Sequence, residues 1–436
     1  MKCVVLVPGV QGSVLETPGG EQVWPPKPSE VVLGYKRLSE LMREDLVSTD
    51  IIRKVSCLDV YKPLIDQLNG IGFTEGSATQ RLEIFHYDWR LDLEITARAL
   101  AHRLGALAAA GATEIAIVAH SMGGLVARLV LEPDTFRAEP WFDLVDTLFT
   151  LGTPHLGAPM ALVRILGLEG DLGISAADFR TYAADHRYPS AYQLLPAPGE
   201  DACWNLTDST LGPLNIYDLG DAQAVGLDPA LVARVAWVHQ SFAEGSQPPG
   251  VRYLFFGGAG HRTCTRINVA PGQVIPTLTD DAGDGTVPMW SAFGKATQKQ
   301  LVRGEHSKFF RREEFSAVLY RLFGQRFPTP PVAAAAMLDL SVQALVLRPD
   351  EEVELLILAP APTSAISGEV VVEFTADEAA PFAPLGEPVA ISYEGAPVSQ
   401  LRVLLPPRPT PGHYRLSFAG TPSSGAPVLF SVVPGG

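Results

Sequence analysis

Cysteine is scarce in this chain: Cys3, Cys57, Cys203 and Cys264 stand far apart in 436 residues, with no C-x-x-C pair. That spacing excludes a short disulfide framework. Positive charge is also short, at 33 Lys+Arg against 48 Asp+Glu, a formal net charge of −15. Nucleic acid is thereby excluded as a partner, because polyanion binding rests on clustered Lys and Arg that release counterions. Electrostatic docking on anionic lipid is excluded too, while apolar contact with a membrane surface stays open. No uncharged run reaches the roughly 20 residues of a membrane-crossing helix; Arg103, Glu114 and Asp339 interrupt the best candidates. The opening Met1-Lys2-Cys3 runs straight into Val4–Val7 and Pro8-Gly9, too short for a signal-peptide core. The expected compartment is the cytoplasm, where the sequon Asn205-Leu206-Thr207 carries no meaning. Apolar residues are plentiful at 47%, with 19% charged, so the chain has ample material for a large core. Its length predicts two or three domains at roughly 150 residues each.

The first 325 or so residues alternate buried-strand runs with helical patterns. Val4–Val7, Leu82–Phe85, Glu114–Val118, Leu144–Leu151 and Val251–Phe256 read as strands. Leu93, Ala97, Leu100, Leu104 and Leu107 recur on one face of a helix that Gly111 stops. This alternation predicts a parallel sheet covered on both faces. Residues 14–80 and 157–249 interrupt it and are too long for plain loops, so both are expected to be excursions with helices of their own, capping a site. At Phe327-Pro328-Thr329-Pro330-Pro331 the composition changes. The expected division is therefore a domain over 1–326, a Pro-rich linker over 327–336 and a second domain over 337–436. Seven short strand-like runs in the last segment predict an immunoglobulin-like β-sandwich.

The chemistry centres on Ala119-His120-Ser121-Met122-Gly123-Gly124, between the Glu114–Val118 strand and the helical run Leu125–Leu131. This is a nucleophile elbow in its required strand-turn-helix context, with Ala119 in place of the first glycine of G-x-S-x-G. The turn lifts the serine hydroxyl above the sheet edge and aims a helix N-terminus at developing negative charge. Serine needs a base, and the base an orienting acid. In this architecture they follow as acid, then His. Asp284 in Gly283-Asp284-Gly285-Thr286-Val287-Pro288 and His306 in Gly304-Glu305-His306-Ser307 satisfy that order. Asp280 and Asp281 lack the following Gly-Thr-Val. A calcium loop is discounted, since Ala282 and Ser291 stand where ligands belong. His120 is read as a packing or hydrogen-bonding residue, and His155 and Gln11 as lining the substrate rim. No H-x-x-x-H pair points to zinc, so neither metal nor cofactor is expected. The oxyanion needs two backbone donors: Met122, after the nucleophile, and Val10 or its neighbour Gln11, in the loop after the first strand.

Several segments together resemble the lecithin:cholesterol acyltransferase family, with its lysosomal phospholipases and phospholipid:diacylglycerol acyltransferases. They are Val5–Glu16, Trp24, Tyr87-Asp88-Trp89-Arg90-Leu91, His120–Gly124, Leu151–Pro154, Pro189–Pro196, Gly283–Pro288 and Glu305-His306. The Tyr-Asp-Trp-Arg-Leu and Tyr-Gln-Leu-Leu-Pro segments discriminate most. The resemblance implies an α/β-hydrolase fold, a triad of Ser121, Asp284 and His306, an oxyanion hole of Val10 and Met122, and excursions forming membrane-facing and lid subdomains. The implied activity is that of a serine esterase or lipase on a lipophilic ester. The alternatives are an O-acyltransferase with an alcohol acceptor and a binding protein on a hydrolase scaffold. Three departures count against lipoprotein-like substrates: no closely spaced lid cysteines, no signal peptide, and the added C-terminal domain, whose partner is unassigned. Tyr182, Tyr188, Tyr192, Trp204, Trp237 and Phe242 fit either an acyl-chain site or the cap's own core.

Overall fold

The computed structural model describes residues 1–27, 30, 34–55, 58–171, 173–206, 211–270, 273–294, 298–327, 337–344, 346–376, 380–425 and 427–433. Seven parallel strands form the central sheet: β1 (Lys2–Val7), β2 (Thr74–Glu75), β3 (Gln80–Ile84), β4 (Glu114–His120), β5 (Val145–Leu151), β6 (Arg252–Ala259) and β7 (Lys299–Arg303). Their order is β7-β6-β5-β4-β1-β3-β2. Period-two alternation sends Cys3, Val5 and Val7 of β1 into one buried cluster and Val4 and Leu6 into the other. Helices α2 (Leu93–Ala109) and α3 (Met122–Leu131) cover the first face. Helices α1 (Lys62–Ile71) and α4 (Glu313–Leu322) cover the second. This is the α/β-hydrolase architecture expected from the sequence. From β1 the chain passes to β3 on one side and later to β4 on the other. The crevice at the carboxyl ends of β1 and β4 is thus a topological switch point, where open parallel sheets gather ligands.

The expected core strands appear close to their predicted limits. Strands β2 and β7 and the hairpin His261–Ala270/Gln273–Gly283 were not anticipated. β7 is a half-exposed edge with a single buried apolar residue, Val302, so it carries no apolar run to detect. The segment 14–80 holds α1 and, with Ser13, a three-stranded antiparallel sheet of Ser13–Glu16, Gln22–Trp24 and Val47–Ile51. The segment 157–249 holds helices Pro159–Ile165, Ala176–Ala183, Leu219–Val225 and Pro229–Glu244. Among the described residues no helix is long and apolar enough to cross a membrane.

The two discriminating motifs stitch these segments to the sheet. Arg90 is fully buried; it pairs with Asp88, donates to the Leu41 and Arg43 carbonyls, and lies over the Tyr188 ring. Gln193 accepts from Leu93 N and donates to Asp92 Oδ1, the oxygen that caps α2 through Glu94 N. Trp89 packs edge-on between Trp24 and Tyr182.

Beyond Phe327, residues 328–336 of the expected linker lie outside the described residues. The following region is all-β, as expected, but arranged differently. Val353–Leu358 and Val370–Phe374 belong to one 23-residue strand, Val353–Thr375. Val389–Tyr393 and Leu401–Leu405 likewise belong to one strand, Val389–Leu405. The two run side by side through register shifts between Leu358 and Ala365, which absorb the residues expected to form turns. With Asp339–Val342, Gly412–Thr421, Val428–Val432 and Val346–Leu347 they make a mixed β-sheet wrapped around an apolar cluster.

This region grips the first at the hairpin, at β7 and at the start of α4. Gln343 Nε2 donates to Arg262 O at 2.6 Å and Gln343 Oε1 accepts from Arg262 N at 3.3 Å. Arg402 pairs with Asp280, Gln400 accepts from Arg303, and Asp339 pairs with Arg312.

Arg90→Met should lower unfolding stability by about 3–5 kcal/mol in urea titrations, because it strands the Asp88 carboxylate and two carbonyls. Arg98→Met, which breaks only the exposed pair with Glu94, should cost under about 1 kcal/mol.

Candidate active site

β4 ends at His120, and Ser121 turns the chain into α3 with φ 53 and ψ −126. An L-residue is costly there, of order 1–3 kcal/mol, and such strain marks functional turns. The surrounding packing enforces it. Ser121 N donates to Leu151 O at the end of β5 (2.8 Å). A Cβ on Gly123 would lie 2.5 Å from Pro8 O and 2.7 Å from Val7 O, so α3 starts against the backbone of β1. A Cβ on Gly9 would lie 2.7 Å from Ser121 Cβ. Ser121 itself is only 6% exposed.

His306 Nε2 lies 3.0 Å from Ser121 Oγ, and His306 Nδ1 lies 2.8 Å from Asp284 Oδ2. The three side chains named from the sequence therefore meet, 185 residues separating the serine from the histidine. Asp284 is fully buried, and its Oδ1 accepts from Thr286 N at 3.0 Å and Val287 N at 2.7 Å. His306 N donates to Asp284 O at 2.8 Å, so the two residues are also joined through the main chain. Gly285 N donates to Thr263 Oγ1 (2.9 Å), pinning the acid loop to the unanticipated hairpin. Asp280 is exposed and paired with Arg402, away from this arrangement.

The loop after β1 runs beside the elbow. Gln11 has φ 59, and its carbonyl accepts from Trp24 Nε1 at 2.9 Å. Among the described hydrogen bonds, the N–H groups of Val10, Gln11 and Met122 have no acceptor. The Gln11 side chain is buried.

His155 differs from its expected place at a substrate rim. It is buried, stacked on Phe255 with ring centroids 3.8 Å apart, and bonded through Nε2 to Thr150 Oγ1 (2.9 Å). Its Nδ1 faces Arg128 at 3.3 Å, so neither nitrogen is left to hold a substrate. The aromatic residues of the second excursion are mostly internal. Tyr182, Tyr188 and Tyr192 are buried, with hydroxyls bonded to Ser190, to the Met42 and Arg43 carbonyls, and to Asp228 N. Phe242 lies under the Arg128 guanidinium and Trp204 under Arg266; Trp237 is partly exposed. Their spacing alone could not separate core from acyl-chain site. Tyr61 escaped sequence reading altogether: it bonds Gly9 N at 2.8 Å and His120 Nδ1 at 2.7 Å, and no local motif marks it. Among the described residues no three His, Cys, Asp or Glu side chains gather to hold a metal.

The family model described as "Lecithin:cholesterol acyltransferase" matches residues 43–215. Similar curated proteins include an uncharacterized protein of Saccharomyces cerevisiae, 28% identical over 175 residues, 38% of this chain and 24% of that one. A Cryptococcus neoformans GPI inositol-deacylase is 46% identical over 52 residues, 12% of this chain and 6% of its own length. The chain thus spans about a quarter or less of these two relatives. Phospholipase A(1) LCAT3 of Arabidopsis thaliana is 24% identical over 319 residues, covering 61% of this chain and 70% of its own. A chain in the structure titled "The crystal structure of Tle4-Tli4 complex" aligns with TM-score 0.53 and 14% identity over 74% of this chain and 98% of that one, a likeness of fold.

Burial, reinforced by the neighbouring His306, pushes the His120 ring down to about 3; burial alone accounts for most of the fall of His239 to about 4, and it carries His155 well below the usual range. Each ring is neutral when folded and takes up a proton on unfolding below its ordinary value of about 6.5. The corresponding stability is present above that pH and is lost as pH falls, by about 1.4 kcal/mol per unit for each histidine. His239 Nε2 faces Leu195 O at 3.2 Å. His239→Gln preserves a donor to that carbonyl and should flatten the slope of unfolding free energy between pH 6 and pH 4.5 by about that amount, as read by urea titration at several pH values.

Proposed function

We propose that this chain, a lecithin:cholesterol acyltransferase-like hydrolase, cleaves an ester of a lipid or lipophilic alcohol through an acyl-enzyme on Ser121. The observation that carries the reading is the continuous chain from Ser121 Oγ through the His306 ring to Asp284, with bonds of 3.0 and 2.8 Å. With Nδ1–H donated to the carboxylate, Nε2 is bare and faces the serine hydroxyl, the tautomer a general base requires. His306 takes the serine proton as Oγ attacks the ester carbonyl. The N–H groups of Val10 and Met122 and the start of α3 stabilise the oxyanion. Asp284 stabilises the imidazolium, held in place by two main-chain N–H groups and its own burial. The imidazolium then protonates the departing alkoxide. Water, activated by the same histidine, attacks the acyl-enzyme and releases the acid.

An alcohol in place of water would make the same site an acyltransferase, since the second half-reaction differs only in the attacking hydroxyl. The name of the Arabidopsis relative supports a glycerophospholipid as the first substrate to try, and that of the Cryptococcus relative an acyl ester of inositol. Cytoplasmic residence belongs to the same reading and is supported by the free thiols Cys3, Cys203 and Cys264, buried among the described residues. A transient apolar contact with a membrane surface would deliver the substrate.

Ser121→Ala should lower p-nitrophenyl butyrate turnover by roughly 10⁴-fold or more and abolish labelling by a fluorophosphonate probe, with an unchanged circular dichroism spectrum. Undiminished labelling would overturn the nucleophile assignment. Incubation with a phospholipid labelled in each acyl chain, with and without a sterol or diacylglycerol, should release free fatty acid; label transferred to the added alcohol instead would identify an acyltransferase.

A further inference from the structure

Two buried polar side chains behind the site take no part in the acyl-transfer steps, yet they touch both sides of it. Gly9 N lies 2.8 Å from Tyr61 Oη. Tyr61 Oη lies 2.7 Å from His120 Nδ1, and His120 Nε2 lies 3.0 Å from the main-chain oxygen of His306. The direction of every bond follows from elementary valence. A backbone N–H can only donate, so Tyr61 Oη accepts from Gly9. A carbonyl can only accept, so His120 Nε2 carries the hydrogen. A neutral imidazole has one hydrogen, so Nδ1 is bare and receives the Tyr61 O–H. Burial keeps both groups neutral, raising the phenol and lowering the ring to about 3. Each side chain uses its full donor capacity once, in a single direction.

We propose that Tyr61 and His120 are positioning residues that couple the candidate oxyanion loop to the main chain of the catalytic base. One end of the relay sets Gly9, next to the Val10 N–H. The other holds the carbonyl of His306, whose N–H is already held by Asp284 O at 2.8 Å. The base is thus fixed by main-chain bonds on both sides, and its ring is aimed between Asp284 and Ser121. Aromatic packing seals the relay: Phe310 stacks on Tyr61 and meets His120 edge-on. Tyr61 precedes α1 in the first excursion, so this excursion contributes to the catalytic geometry from behind the sheet as well as covering it. The inference rests on the Ser121 reading and deepens it.

The test compares the full-length protein with Tyr61→Phe, His120→Gln, His120→Ala, the Tyr61→Phe/His120→Gln double variant and Ser121→Ala, using p-nitrophenyl butyrate. Tyr61→Phe leaves two buried groups unpaired and should lower kcat by roughly 10- to 100-fold, with KM within threefold. His120→Gln retains one acceptor and one donor and should recover part of that loss relative to His120→Ala. The double variant should be no slower than the slower single one, because one broken link already uncouples the relay. A kcat within threefold of the parent for Tyr61→Phe, beside an inactive Ser121→Ala, would overturn the relay alone. Full turnover by Ser121→Ala would overturn the nucleophile and the relay with it. The unmodified protein offers a second, spectroscopic readout. In ¹⁵N-histidine NMR at pH 7, His120, identified by the signal lost in His120→Gln, should be the neutral Nε2–H tautomer. An Nδ1–H tautomer or a charged ring would overturn the proposal.

Discussion

The arrangement depends on how little room exists where β4 gives way to α3. Ser121 adopts a conformation that side-chain-bearing residues avoid, and the neighbouring glycines let helix, loop and strand backbones come within contact of one another. Close-packed interiors transmit such crowding instead of absorbing it. The carboxyl ends of β1, β4 and β5 are therefore locked at one point, which puts the serine hydroxyl, the loop after β1 and the His306 ring in fixed relation. Loosening any of the three would release the others.

Main-chain bonds do much of the remaining work. Ser121 hangs from β5, Gly152 from Phe256 O in β6, and His306 from the acid loop. These links are indifferent to side-chain identity, so they hold the geometry while the residues facing the substrate are free to vary. Side chains take over where the excursions must be fastened. Arg90 and Gln193 reach across long sequence separations to backbone groups that would otherwise be buried without partners, which is costly. The segments that most strongly suggested the family resemblance are thus scaffolding, and one of their side chains reaches the loop after β1, where the Tyr87 hydroxyl donates to Pro8 O at 2.8 Å.

Much of this was legible in the sequence because the signals were local. The elbow is one strand, one tight turn and one helix in a single window, and β1, β4 and β5 are short apolar runs of the kind that a strand buried on both faces requires. Asp284 and His306 could be named because small residues and turn chemistry surround them in the order that this sheet requires. Tyr61 could not, since its role comes from a tertiary approach to Gly9 and His120 with no local trace. His155 misled for the opposite reason: it sits in a glycine-rich segment beside the site, but its ring turns inward onto Phe255. In the C-terminal region, Pro and Gly were read as turns, whereas they lie in irregular stretches of paired long strands. Local composition does not distinguish a bulge from a bend.

The contacts made by Gln343, Gln400, Arg402 and Asp339 give the C-terminal sheet a bearing on evolution. Their counterparts, Arg262, Arg303, Asp280 and Arg312, stand on the hairpin before the acid, on β7 before the base, and at the start of α4 after it. A module fastened there is not freely exchangeable cargo. Recombination that swapped it for another region would also have to replace the contacts made to the segments that carry Asp284 and His306, so the two parts of this polypeptide are expected to be inherited together.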